Sequence, residues 1–184
     1  MRLLKYAILG LINRAPITGY DIAKEFDRGL VNFWYATHSQ IYPELRRLTE
    51  EGLVTFEIDT RGDRLEKKRY LITEKGKHEL WDWLCVTDEL EPTPKDVFRL
   101  KLYYLNEIDK NTVLEHLQDQ LKKRSRKLNY LEQSMETNRR ESKSYGKEYN
   151  EELGDYLVLC GAISREKSYV EWINYCIDYL NKIK

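Results

Sequence analysis

The spacing of apolar positions changes several times along the chain. Leu3, Ala7, Ile8, Leu11 and Ile12 recur at helical intervals and predict a first helix, which Pro16 ends. Thr18 can cap a second helix over about Gly19 to Phe26, with Tyr20, Ile22, Ala23 and Phe26 available for packing. After the connection RGLVNFWYA, Ile41, Leu45 and Leu48 share one helical face and predict a third helix. Its start is a capping box, THSQ, with Thr37 as N-cap and Gln40 at the third helical position. Gly52 stands where a helix needs a left-handed residue, and Leu53 follows as its apolar clasp. The period then shortens to that of strands in LVTFEID and KKRYLIT, joined by a polar turn containing RGDR. Thr73 caps one more helix, EKGKHELWDWL. Three helices, a two-stranded hairpin and a helix behind it make a winged helix-turn-helix.

EPTPK, residues 91–95, brings two prolines close together and sets the expected boundary between a domain at 1–90 and one at 91–184. The second domain reads as almost wholly helical. A helix covers about Lys95 to Tyr104, and Asp109 begins a much longer one carrying Leu114, Leu117, Leu121, Leu128, Leu131 and Met135. That stripe has one polar interruption, near Arg124. Another long helix, about Glu151 to Asn181, carries Tyr156, Cys160, Ile163, Val170, Ile173, Ile177 and Leu180. The polar stretch ETNRRESKSYGKE between them reads as a frayed turn, so the two helices form an antiparallel pair. Tyr169, Trp172, Tyr175 and Tyr179 widen the last stripe beyond what one partner helix covers, which points to a second copy of the chain. Leu114, Leu117, Leu121, Val170, Trp172, Ile173 and Ile177 are the expected dimerisation residues. The expected fold class is mostly α with a small β-hairpin wing: a winged helix-turn-helix domain followed by an antiparallel long-helix dimerisation domain.

Composition narrows this picture mainly by exclusion. Lys+Arg and Asp+Glu both number 31, so any attraction to nucleic acid must be local. No apolar run approaches the roughly 20 residues of a membrane span, and no membrane partner is expected. MRLLKYAILGLINR lacks a small-residue cleavage site and suits a short amphipathic helix better than a signal peptide. Three cysteines, Cys85, Cys160 and Cys176, form no paired motif and suit a reducing cytoplasm. His38, His78 and His116 lie apart, without metal-ligand spacing to one another or to cysteine. Neither a glycine-rich phosphate loop nor a nucleophile elbow is present, so no metal, cofactor or enzymatic activity is expected.

The third helix and the hairpin supply the local chemistry. Opposite Ile41, Leu45 and Leu48 lie Ser39, Pro43 and Arg46, flanked by Gln40, Tyr42 and Arg47. Short polar residues, an amide and arginines are what a helix in a major groove presents, although the same face on an arbitrary helix is merely solvated. A proline inside a helix costs about 3 kcal/mol. Placed on the outward face, Pro43 offers a rigid, low-profile apolar surface suited to a sugar or a thymine methyl. From Arg61 to Lys77 seven Lys/Arg face three acids. Arg61 and Arg64 at the hairpin tip, with Lys67, Lys68 and Arg69 behind them, can follow a phosphate backbone. Lysines guarding an edge strand would look the same.

These residues also carry a resemblance. LLKYAILGLINRAPITGYDIAKEFDRGLVNFWYATHSQIYPELRRLTEEGLV, followed by KKRYLITEKGKHELWDWL, resembles the PadR family of transcriptional regulators. Residues 92–184 resemble that family's virulence-activator-type C-terminal domain, longer than the single helix of its smaller members. The resemblance covers essentially the whole chain, and TGYDIAKEF with SQIYPELRRLTEEGLV is its specific part. It implies a homodimer that binds an operator in double-stranded DNA, usually as a repressor released by a small, often aromatic, molecule. It carries DNA contact over to Tyr20, Ser39, Gln40, Tyr42, Pro43 and Arg46 and to the basic wing.

Phe33, Trp34, Tyr35 and His38 could stack and hydrogen-bond a flat phenolic effector, or could simply pack in the core or a dimer contact. The expectation is therefore a cytoplasmic, homodimeric, DNA-binding regulator of transcription on a palindromic operator. Its rival is a winged helix kept as a protein–protein adaptor. A hydrolytic enzyme built on the helical domain is a third option, for which no site is visible.

Overall fold

A computed structural model describes residues 2–28, 36–59, 67–90 and 92–183. The chain divides into two compact units, 1–90 and 91–184.

In the first unit, α1 (Leu3–Arg14), α2 (Gly19–Arg28) and α3 (His38–Glu50) precede strands β2 (Val54–Asp59) and β3 (Lys67–Ile72) and helix α4 (Glu74–Leu84). Ile8, Leu9 and Ile12 of α1, Ile22, Ala23 and Phe26 of α2, and Ile41, Leu45 and Leu48 of α3 meet in one core. Tyr20, expected to be available for packing, instead points outward and is 65% exposed. It lies on the opposite side of the α2 wheel from Ile22 and Phe26. A strand missing from the sequence reading, β1 (Ile17–Thr18), pairs with β3, so the hairpin is part of a three-stranded antiparallel sheet of order β1-β3-β2. Two residues are too few to show alternation, and β1 is defined by the partner it meets.

The end of α3 is built as its glycine predicts. Gly52 adopts φ 69°, the Gly52 N–H donates to the Thr49 carbonyl, and the Leu53 N–H donates to the Leu48 carbonyl, a Schellman closure. The start of α4 is fastened to this end. The Thr73 hydroxyl lies 2.8 Å from the Gly52 carbonyl and 3.1 Å from that of Leu53, while accepting from the Gly76 N–H. A Cβ on Gly76 would stand 2.1 Å from the Leu53 carbonyl oxygen. Two charged residues missed in the sequence complete the joint. Glu44 is only 4% exposed, with Arg2 Nε 2.9 Å from its Oε1, although off line for an N–H hydrogen bond. The same guanidinium grips Glu51 with two bonds of 2.6 and 2.8 Å. This bidentate bond holds the Glu51 carboxyl below its ordinary pKa.

The second unit holds α5 (Val97–Tyr103), a 3₁₀ turn (Leu105–Glu107), and the long pair α6 (Lys110–Glu141) and α7 (Glu151–Lys182). Asp109 caps α6 through the Thr112 N–H, as expected. Val113, Leu117, Tyr169 and Ile173 form one core cluster, and Leu131, Met135, Tyr145, Leu159 and Ala162 another. The turn expected to fray is tied down: Tyr145 is buried, accepts a hydrogen bond from Asn138, and packs edge-on against Tyr156. Polar composition concealed this one aromatic anchor. The polar interruption at Arg124 is filled by Glu166, fully buried, whose carboxylate takes 3.1 and 3.0 Å bonds from Arg124 and lies 3.2 Å from Lys127 Nζ.

Two predictions follow from these joints. Gly76→Ala should destabilise the fold by about 1–3 kcal/mol through forced displacement of the α3–α4 joint, read as a lower thermal midpoint. In the second unit, burial pushes the Glu166 carboxyl up, but Arg124 and Lys127 outweigh it and hold it below the ordinary glutamate value. Its stabilisation is therefore complete above that ordinary value and is lost as pH falls through the lowered one. Glu166→Ala should cost about 1–3 kcal/mol at neutral pH by removing the charged hydrogen bonds to Arg124, while Arg124 and Lys127, both partly exposed, turn to water. It should also remove part of the loss of helical circular dichroism on acidification.

Candidate nucleic-acid interface

α3 carries its polar residues outward on a helix fixed at both ends. Ser39, Gln40, Tyr42, Pro43, Arg46 and Arg47 are all exposed, and α3 runs unbroken through Pro43. Proline has no N–H, so the Ser39 carbonyl, one turn earlier, loses its helical partner on the outward side. Tyr42 is 48% exposed and its ring rests against Gly19, the first residue of α2, next to exposed Tyr20. The outward face of α3 and the opening of α2 thus share one surface.

The two arginines differ. Arg46 has no ion-pair partner among the described residues, whereas an Arg47 guanidinium nitrogen lies 3.7 Å from buried Glu44. Arg46 is the cation available to a ligand, and Arg47 is partly held by the protein. Gln40 is also partly engaged. Its side-chain oxygen accepts from the Thr37 N–H at 3.0 Å and from the Thr37 hydroxyl at 3.1 Å. The Thr37 hydroxyl is in turn 2.8 Å from that of Ser39. The amide that sequence reasoning offered to adenine therefore presents only its N–H donors. It suits an acceptor such as guanine N7 or O6, or a phosphate oxygen, better than bidentate adenine pairing.

Lys67 and Lys68 of β3 are exposed, and the Lys68 ammonium sits 4.0 Å from the Phe56 ring centroid on the neighbouring strand. That contact holds the charge at the sheet surface. Arg61 and Arg64 lie outside the described residues, as do Phe33, Trp34 and Tyr35. His38, the fourth of the expected effector residues, opens α3, is exposed, and has Nε2 3.9 Å from an Asp27 carboxylate oxygen. Of the expected dimerisation residues, Leu117 and Ile173 are fully buried between the chain's own α6 and α7. Leu121, Trp172 and Ile177 pack partly against the same cluster, while Leu114 and Val170 are half-buried. The missed residues are Glu44 and Arg2. The one signal for Glu44 was its place on the flank of the Ile41–Leu45–Leu48 face.

Among the described residues, no three His, Cys, Asp or Glu side chains gather as a metal site, and no helix is long and apolar enough to cross a membrane. An exposed third helix with a polar and cationic face, packed on two helices and followed by a sheet strand carrying exposed lysines, is the arrangement of a winged-helix DNA-binding protein. The chain belongs to the PadR-like family of transcriptional regulators, whose model matches residues 8–82; the virulence activator alpha C-terminal model matches residues 94–181. It is a DNA-binding regulator of transcription, and not an enzyme.

The chain is 43% identical to the negative transcriptional regulator PadR of Bacillus subtilis, over 99% of this chain and 100% of that one. It superposes on the crystal structure of B. subtilis PadR with operator DNA at a TM-score of 0.91 and 42% identity, covering 98% of each chain. Against the same protein with p-coumaric acid the TM-score is 0.85 at 40% identity, covering 98% of this chain and 100% of that one.

Gln40 offers a clean test of the shared role of cap and contact. Gln40→Glu keeps an oxygen to accept from the Thr37 N–H, so thermal stability should stay within about 0.5 kcal/mol. It replaces the donors with a negative charge, and affinity for a specific duplex should fall about 10-fold or more in fluorescence anisotropy. Unchanged affinity would remove Gln40 from the interface.

Proposed function

We propose that the chain is a cytoplasmic, homodimeric repressor that places α3 in the major groove of each half of a palindromic operator and is released by a phenolic acid. The observation that carries this reading is the end-to-end similarity to B. subtilis PadR, a negative regulator seen with both operator DNA and p-coumaric acid. Residues 1–90 form the DNA-binding domain and residues 91–184 the dimerisation domain. Tyr20, Ser39, Gln40, Tyr42, Pro43 and Arg46 meet one half-site. Arg47, Arg61, Arg64, Lys67 and Lys68 add phosphate contacts. Two-fold symmetry then separates the half-sites by roughly 34–36 Å, one turn of the duplex.

Leu117 and Ile173 are closed inside one chain, so a second copy must meet apolar side chains that remain accessible. Val97, Leu100 and Tyr103 of α5 are all more than half exposed, on the side of that helix away from Phe98, which meets half-buried Trp172 edge-on. We assign the contact between copies to this region together with Leu114, Leu121, Val170 and Ile177. Phe33, Trp34, Tyr35 and His38 stay the proposed aromatic contacts of the effector.

The wild-type protein should sediment at twice the 22.1 kDa chain mass. It should retard a duplex selected by the protein from random-sequence DNA, and p-coumaric acid should release that duplex. Retention of the duplex at saturating p-coumaric acid, with tryptophan fluorescence still quenched, would leave the DNA-binding reading standing and remove the effector. A protein selecting no duplex would favour the adaptor role instead.

A further inference from the structure

Gly19 opens α2 directly after strand β1, and nothing in its backbone calls for glycine. Among the described residues only Gly52 and Gly146 have positive φ, so Gly19 lies in a conformation open to any residue. What distinguishes the position is its neighbour. A Cβ added there would lie 2.9 Å from Tyr42 Cε1, 3.5 Å from Tyr42 Cζ and 3.4 Å from Leu45 Cδ1. The Tyr42 ring therefore occupies the space a side chain at position 19 would fill. Around it stand fixed groups. Leu45 is fully buried, and Ile17, two residues before Gly19, is paired with Tyr70. The Tyr70 phenol is pushed above its ordinary pKa by burial and, to a smaller degree, by Tyr42.

From this geometry we propose that Gly19 is a positioning residue for DNA binding. Its bare Cα forms the seat that fixes the Tyr42 ring on the outward face of α3. The proposal rests on the reading that Tyr42 touches DNA. Tyrosine has a torsion-limited ring and one polar tip, so a contact made through it depends on where the ring is held. A methyl on residue 19 cannot push into Leu45 and the core, whereas the half-exposed Tyr42 ring can swing away. Gly19→Ala removes no hydrogen bond and raises helix propensity at the start of α2. Its effect should fall on Tyr42 and leave the fold intact.

A double-mutant cycle on the full-length chain tests this, with Gly19→Ala, Tyr42→Ala and the double variant titrated by fluorescence anisotropy. The probe is a duplex selected by the wild-type protein from random-sequence DNA. Gly19→Ala should weaken binding about 5- to 30-fold with an unchanged thermal midpoint, and should weaken it no further once Tyr42 is Ala. In parallel, 3-fluorotyrosine placed at position 42 reports the ring directly, and its fluorine resonance should shift in Gly19→Ala without DNA. An unmoved resonance overturns the seat. A loss equal in both backgrounds also overturns it, because Gly19 would then act through its own backbone. If Tyr42→Ala binds as tightly as wild type while the resonance still shifts, the seat exists but the DNA contact assigned to Tyr42 fails, and the proposed role of Gly19 fails with it.

Discussion

The winged-helix unit depends on one joint, where α3 ends and α4 begins. Gly52 turns the chain through the left-handed region, the Leu53 N–H closes back on Leu48, and Thr73 reaches the Gly52 and Leu53 carbonyls. Gly76 lets the α4 backbone come against the Leu53 carbonyl, an approach that no Cβ permits. These contacts fix the C-terminal end of α3 to the root of the sheet. Arg2 adds a second brace from α1's end of the molecule, gripping Glu51 and standing beside buried Glu44. A helix so held can present its outward face in one orientation. The capping box at Thr37 and Gln40 does the same for its other end. Groove binding needs this rigidity, because base contacts are lost with small errors in helix placement.

Rigidity also explains the division of labour on α3. Inward residues are apolar except Glu44, and Glu44 is matched by Arg2 and approached by Arg47. The outward residues are left for a ligand, though unequally: Gln40 gives its oxygen to the cap, while Arg46 has no ion-pair partner among the described residues. The second unit follows a similar rule. Its long helices are apolar along most of their contact, and the charge buried between them among the described residues, Glu166, is paired with Arg124 and Lys127. A buried carboxylate with two cations adds little net stability but penalises a shifted register of α6 on α7, since any slip strands a charge.

Most of the architecture could be read in the sequence because its signals are local. THSQ, Gly52–Leu53 and Thr73 mark helix ends through their own backbone chemistry, and the structure places those ends within a residue or two of expectation. What stayed hidden depends on partners distant in the chain. β1 exists because β3 pairs with it; the Tyr145 turn is ordered because Tyr156 and Asn138 receive it. Glu44 and Glu166 are buried because Arg2 and Arg124 reach them, and a single carboxylate in a helix reads as solvated without that knowledge. For the candidate interface, helical periodicity gave the correct outward face, but not that the Gln40 oxygen is engaged or that Tyr42 leans on Gly19. Leu117 and Ile173, expected at a contact between copies, lie inside the chain's own α6–α7 pair. Apolar spacing alone does not tell a stripe buried within one chain from one that would meet another copy.

The central claim is that the exposed face of α3, centred on Pro43, enters the DNA groove. Photocrosslinking tests it most directly, with p-benzoylphenylalanine placed at position 43 in one protein and, as control, at exposed Trp81 on α4 in another. Irradiated with a duplex selected by the wild-type protein, the position-43 protein should crosslink to bases within each half-site, and the position-81 protein should not. Crosslinks from position 81 with none from position 43 would contradict the account and place DNA on the opposite helix.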